Sequence, residues 1–319
     1  MADNEKLIAR AARRADGSSP TVQKTRKPEQ AGEPGRVGVL KTYKLYIGGK
    51  FPRTESGRFY KTLDRKGEPL ANMCLASRKD FREAVVAARA AFPGWSASSA
   101  YLRGQILYRV AEMLEGRREQ FIAELFEQGA TRPAAKAEVD ESIDRLVYFA
   151  GWCDKYQQIF SSVNPVSSSH FNFSMMEPTG VVAIVAPEKH PLLGLIANLA
   201  PVIAGGNACV ALASGARPLA AVSFAEVLHS SDVPAGVVNL LTGQRTELLE
   251  HFASHMDVNT LIYCGNDQAH MTLVQTLAAD NIKRVVLRGQ ARWDDDDSRN
   301  PYLIGDTQEI KTTWHPIGK

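Results

Sequence analysis

The sequence predicts an α/β fold: a doubly wound, mainly parallel sheet with helices on both faces. Two observations carry that expectation. The first is the stretch from Gly180 to Gly215. Gly180 to Ala186 is an unbroken apolar run rich in Val and closed by Pro187, the pattern of a strand buried on both faces. Pro191 to Pro201 has helical apolar spacing, with a proline suited to a first helical turn. Gly205, Gly206 and Asn207 then break the chain, and Ala208 to Ala213 is a second short apolar run. Strand, crossover helix and strand form a βαβ unit. The loop after its first strand, Pro187 to His190, opens toward a ligand crevice. The second observation is that short apolar strands go on alternating with helical stretches as far as Leu287.

The bounds agree with such a fold. A chain of 319 residues with 44% apolar content can bury a full core. A formal charge of +3 is nearly neutral for this length and implies no nucleic-acid partner. No run reaches the roughly 18–20 apolar residues of a membrane span, and the first residues lack the apolar core of a signal peptide. The four cysteines, Cys74, Cys153, Cys209 and Cys264, sit singly. Cys209 and Cys264 fall in strand-like runs and read as buried, inert thiols. A soluble cytoplasmic protein is expected.

Taken in order, residues 1–36 read as a disordered basic extension, with eight Lys/Arg against five Asp/Glu. Tyr43 to Phe51 alternates and turns on Gly48 and Gly49, a hairpin signal. Helices are expected over Asp80–Phe92, Ala100–Glu115, Arg118–Gln128 and Ala134 to about Gln158, each with an apolar stripe. Phe160–Val166 and Phe171–Met176 read as extended segments. After the βαβ unit come a helix over 216–229, a strand near Gly236–Thr242, a helix over Glu247–His255 and a strand over Thr260–Cys264. A helix over Asp267–Ala279 and a last strand over Lys283–Leu287 follow. Residues 291–303, with four consecutive aspartates from Asp294, read as a solvated acidic loop.

The wording of these segments is more specific than their order. The chain keeps Gly180 to Val182, Pro187, Pro191 to Leu193, Ala200, Pro201, Ala204 to Asn207 and Ser214. It thereby resembles the cofactor-binding core of the aldehyde dehydrogenase superfamily, whose members read close to G-V-V-x-x-I-x-P-W-N-F-P-L-L and A-A-G-N here. Tyr46 to Phe51, Phe92 to Trp95 and Val233 to Gly243 continue the likeness, the last close to L-P-x-G-V-V-N-V-V-T-G. Thr307 to Gly318 looks like the family's C-terminal strand, T-x-x-K-T-V-W. The resemblance implies a Rossmann-type nucleotide domain over residues 37–290. It also implies a projecting antiparallel oligomerisation arm, built from residues 158–177 and a C-terminal strand at 304–319 that pairs with a partner subunit. Between those pieces the likeness skips the part that carries the catalytic cysteine.

The resemblance also sets out the chemistry: a cysteine thiolate attacks an aldehyde, an Asn steadies the oxyanion, a nicotinamide cofactor takes hydride and a glutamate activates water. No cysteine occurs after Cys264. Lys189 stands at the Asn of P-W-N-F-P, and Arg288 at the glutamate of L-E-L-G-G, where a guanidinium is no general base at neutral pH. The two ribose ligands of K-P-S-E become Leu212 and Gly215, and of the pyrophosphate glycines only Gly243 survives. At the second of these, Arg245 either obstructs the backbone approach that glycine allows or holds a phosphate. Ala186, Pro187, Ser214, Gly243 and Gly265 remain as cofactor-binding candidates. Lys189 and His190 read as a solvated loop pair without metal-ligand spacing. The expected function is a non-catalytic family member with weak or no NAD(P) binding, a structural or regulatory subunit of a full-length aldehyde dehydrogenase or of itself. Two alternatives stand beside it: an oxidoreductase with a repositioned nucleophile, and a nucleotide-binding module without turnover.

Overall fold

The computed structural model describes residues 39–318; the basic extension at 1–36 lies outside the described residues. The expected doubly wound sheet is present. Its strands are β6 (Val181–Val185), β7 (Ala208–Leu212), β8 (Val238–Leu241), β9 (Thr260–Tyr263) and β10 (Arg284–Leu287). They lie in the order β10-β9-β6-β7-β8, all parallel. β6 and β7 are fully buried along their length, which explains why their sequences do not alternate.

The pleat sends alternate side chains to two separate cores. Val182, Ile184, Cys209, Ala211 and Ile262 face one core, with α2 (Ala100–Glu115), α4 (Arg132–Trp152), α6 (Leu193–Ala204) and α7 (Leu219–His229). Val181, Ala183, Val185, Val210 and Leu261 face the other, with α1 (Arg78–Ser96) and α8 (Arg245–Ser254). α1 starts at a capping box: Ser77 Oγ accepts from the amides of Lys79 and Asp80, and Asp80 Oδ2 accepts from Ser77 N at 2.8 Å. The tryptophan that ends the resembled family's helix is also explained, since Trp95 Nε1 donates to Ile203 O at 3.0 Å and pins α1 to α6.

The hairpin signal at Gly48–Gly49 is correct for the turn but not for its flanks. Ile47 and Lys50 exchange both backbone hydrogen bonds at 3.0 Å, while Tyr46 pairs antiparallel with Leu240 and covers the free edge of β8. A small sheet of β1 (Thr42–Tyr43), β2 (Phe59–Leu63) and β3 (Pro69–Cys74) forms beside it, and the sequence reading had no strands at β2 and β3.

The antiparallel arm is a three-stranded sheet in the order β11-β5-β4: β11 (Gln308–Pro316), β5 (His170–Pro178) and β4 (Ser162–Asn164). β11 pairs along its whole length with β5 of its own chain, from Gln308↔Pro178 to Pro316↔His170, which joins the two expected arm segments in one sheet and leaves the other edge of β11 open. The root of the arm sits on the βαβ turn. Asn207 Oδ1 accepts from Gly180 N at 2.9 Å, and its Nδ2 donates to Thr307 O at 3.0 Å. Gln308 Nε2 donates to Gly205 O at 3.1 Å and fills the space that any β-carbon at Gly205 would need. The Gly-Gly-Asn turn thus joins two parallel strands and the arm at once.

Residues 291–303 also depart from expectation. Trp293 is 4% exposed, and the buried Arg145 of α4 donates to the carbonyls of Trp293, at 3.0 Å, and Ser298. The aspartates face outward, but the segment is fastened to the helical layer rather than being a free loop. No helix among the described residues is long and apolar enough to cross a membrane.

Candidate functional site

In a sheet of this order the strands reverse direction of winding between β6 and β9, and the crevice outside their carboxyl ends is where ligands bind. Five loops reach it, one from each parallel strand. Ala186, Pro187, Ser214, Gly243 and Gly265 all lie on these loops and are all buried, so the structure brings the sequence-derived cofactor candidates together.

Each of them also has an internal role. Ala186 N donates to Leu212 O at 3.0 Å, prolonging the β6–β7 pairing by one residue. Pro187 packs its ring where a β-carbon at Gly194 would stand. Gly243 sits against Leu248 and Ala76. Gly265 faces the side chain of Tyr263, which is buried and occupies the space a β-carbon at 265 would take. The glycine here is required by Tyr263.

The crevice is crossed by a charged pair that the sequence reading did not join. Arg245, the first residue of α8, donates to Ala186 O at the end of β6. Its Nε lies 3.2 Å from Glu188 Oε1, an ion pair whose N–H is not aimed for a hydrogen bond. Glu188 in turn accepts from Ser214 Oγ at 2.6 Å, Ala216 N at 3.2 Å and Gly215 N at 3.3 Å. The pair divides the crevice. On one side is a space of about 310 Å³ lined by Gly215, Gln244, Tyr263, Gly265 and His270. On the other, about 440 Å³ lies among Lys189, His190, Cys264, Arg288 and Gly289. Both spaces are bounded by Glu188 and Arg245. The available signal was a carboxylate and a guanidinium replacing an aromatic residue and a glycine at two positions of one family pattern.

Lys189 is exposed, as expected of a solvated residue. His190 is not simply solvated. It holds φ at 52°, and its Nδ1 lies 3.9 Å from Glu138 Oε2 of α4. Glu138 is buried and accepts from Leu192 N at 2.9 Å and Leu193 N at 3.3 Å, capping the start of α6. Burial pushes the Glu138 carboxyl up, and the two amides pull it part of the way back. Local spacing could not reveal this partner, because it is 52 positions away (190 minus 138) on another helix.

Arg288 follows β10 and is buried. Its Nη1 donates to Asn198 Oδ1 of α6 at 2.8 Å, and its Nη2 donates to Asp306 Oδ2 at 2.6 Å. Cys264 is the one cysteine lining the crevice, at 7% exposure, and burial raises its thiol to about 12. Cys153 and Cys209 are raised to about 12 for the same reason. At neutral pH these are thiols, not thiolates. Among the described residues no cluster of three or more His, Cys, Asp or Glu could hold a metal ion.

A doubly wound α/β sheet with glycine-bearing loops converging at its switch point defines a dinucleotide-type crevice, and the arm adds a projecting sheet to it. The chain belongs to the aldehyde dehydrogenase family, whose family model matches residues 52–291. Cytosolic 10-formyltetrahydrofolate dehydrogenase of Mus musculus is 32% identical over 287 residues, covering 88% of this chain and 31% of the relative. The putative aldehyde dehydrogenase DhaS of Bacillus subtilis is 31% identical over 276 residues, covering 85% of this chain and 53% of its own length. Among solved structures, PnpE from Pseudomonas sp. WBC-3 superposes with a TM-score of 0.74 at 28% identity, over 77% of this chain and 50% of that one. The NAD+ complex of an aldehyde dehydrogenase from Bacillus cereus gives 0.73 at 26% identity, with the same coverage. The chain therefore spans about half the length of these enzymes, and less of the formyltetrahydrofolate relatives.

Proposed function

We propose that this chain is a non-catalytic member of the aldehyde dehydrogenase family, a structural or regulatory subunit that associates through its arm with a full-length aldehyde dehydrogenase or with a second copy of itself. One observation carries the reading. Arg288, at the position the resemblance gives to the water-activating glutamate, is bonded to Asn198 and Asp306, and residues 288–307 lead from the last parallel strand, through a 3-10 turn and a short helix, to β11. A position that serves catalysis in the resembled family here fastens the arm.

Cofactor chemistry supports the same reading. A ribose diol needs an acceptor as well as donors, and the K-P-S-E segment offers neither Lys nor Glu but Leu212 and Gly215. Glu188 and Arg245 form an ion pair across the crevice, between the two spaces that a ligand could enter. The residues present do not fit a tightly held NAD(P). Cytoplasmic location is part of the proposal; the formyltetrahydrofolate relatives include cytosolic forms of mouse and frog and mitochondrial forms of human and mouse.

Turnover of the isolated chain with several aldehydes and NAD or NADP tests the reading; no rate above the uncatalysed background is expected. A second reading has one observation in its favour: Cys264 lines the crevice. If turnover appeared and Cys264→Ser abolished it, the chain would be an oxidoreductase with a repositioned nucleophile.

A further inference from the structure

We infer that the Ser214–Ala216 turn is an anion cradle, and that Glu188 is its built-in occupant. The inference rests on the reading above that the crevice of the wild-type chain holds no dinucleotide.

Three donors converge on one carboxylate. Ser214 Oγ and Ala216 N approach Glu188 Oε2 at 2.6 and 3.2 Å, while Gly215 N lies 3.3 Å from Oε1. The Arg245 guanidinium adds a positive charge beside Oε1. The Ser214 hydroxyl is not free to turn round, because its oxygen already accepts from Arg217 N at 3.1 Å. Its proton is therefore committed to the carboxylate. The set contains donors and a cation and no acceptor, which is the chemistry of a site for an oxyanion and not for a sugar diol.

The cradle is built and reachable. Ser214 is 1% exposed, so its hydroxyl is shielded from bulk water. The Glu188 side chain is 39% exposed, so the occupant can leave without opening the core. It stands on a loop whose neighbour His190 already holds a left-handed backbone. With Glu188 gone, Arg245 would face the gap with its charge unanswered while its bond to Ala186 O held it in place. The ligand class that matches is a phosphate monoester or inorganic phosphate, whose oxygens would replace both carboxylate oxygens. The contact is thus autoinhibitory: an internal carboxylate fills the anion site, and an anion binds only by displacing it.

The test compares the melting temperature of the wild-type chain and Glu188→Ala in inorganic phosphate against chloride of equal ionic strength. Phosphate is expected to stabilise Glu188→Ala, with apparent affinity at least about tenfold above that of wild type. The added change Ser214→Ala should remove the gain. Equal responses from wild type and Glu188→Ala would overturn the cradle, and so would a gain that survives Ser214→Ala. If Glu188→Ala does not fold, Glu188→Gln carries the same comparison, because a neutral amide leaves Arg245 uncompensated. A parallel NAD titration of wild type separates the two readings. Saturation there contradicts the closed crevice whatever phosphate does, and a flat NAD titration with a phosphate-indifferent Glu188→Ala overturns the cradle alone.

Discussion

Arg288 donates to Asp306 across 2.6 Å, closing a link between the end of the last parallel strand and the segment that enters β11. Arg288 is buried and Asp306 half-exposed, so the bond is partly shielded from water. Replacing Arg288 with Ala should cost about 2–3 kcal/mol in urea unfolding, because Asn198 and Asp306 both lose a charged donor. Arg288→Glu restores the glutamate of the resembled family but sets it against Asp306. It should destabilise more than Ala and confer no aldehyde turnover.

Gly265 leaves room for the Tyr263 side chain. Gly265→Ala places a methyl on the Tyr263 ring and should destabilise by about 1–3 kcal/mol. Adding Tyr263→Val frees the space, so the two changes together should cost less than their sum. Strict additivity in that double-mutant cycle would contradict the packing explanation.

The thiols offer a check that needs no substrate. Burial holds Cys153, Cys209 and Cys264 at about 12. Labelling of these three by a thiol reagent at pH 8 should be slower in the native chain than in urea by a factor on the order of a hundred or more. Rapid native labelling of Cys264 would place a reactive thiol in the crevice and favour the enzyme reading.

Lys283 supplies a pH test. It is 8% exposed, its Nζ donates to Ala253 O at 2.7 Å and His255 O at 2.8 Å, and burial lowers it from 10.5 to about 8. The folded value lies below the unfolded one, so the unfolded chain binds more protons between pH 8 and 10.5, and the charge costs stability below that window. Wild type should therefore gain stability relative to Lys283→Met as pH rises from 8 to 10.5, by on the order of 2 kcal/mol. A pH-independent difference would show that the ammonium is adequately solvated.

Most of the fold was legible because local rules and tertiary structure agree. The helix expected over Pro191–Pro201 is found at Leu193–Ala204, and the strand expected over Ala208–Ala213 at Ala208–Leu212. The misses come from partners far away in sequence. Nothing near Tyr46 announces that it pairs with Leu240, and nothing near Trp293 announces the buried guanidinium of Arg145. The crevice shows the same division. Family pattern located Ala186, Pro187, Ser214, Gly243 and Gly265, which lie together, but gave two opposed roles to Arg245. The structure finds it bonded to Ala186 and paired with Glu188. Substitutions at single positions were visible, whereas their compensation by one another was not.

The arm carries the central claim. Ile310 and Trp314 alternate onto one face of β11 at 67% and 57% exposure, beside an open strand edge. Sedimentation velocity at micromolar concentration, on the chain alone and mixed with a complete aldehyde dehydrogenase of the same cell, tests the claim most directly. The expected result is a larger species containing this chain, lost in the double variant Ile310→Glu, Trp314→Glu with the fold intact. A monomer that sediments separately from the complete enzyme would contradict it.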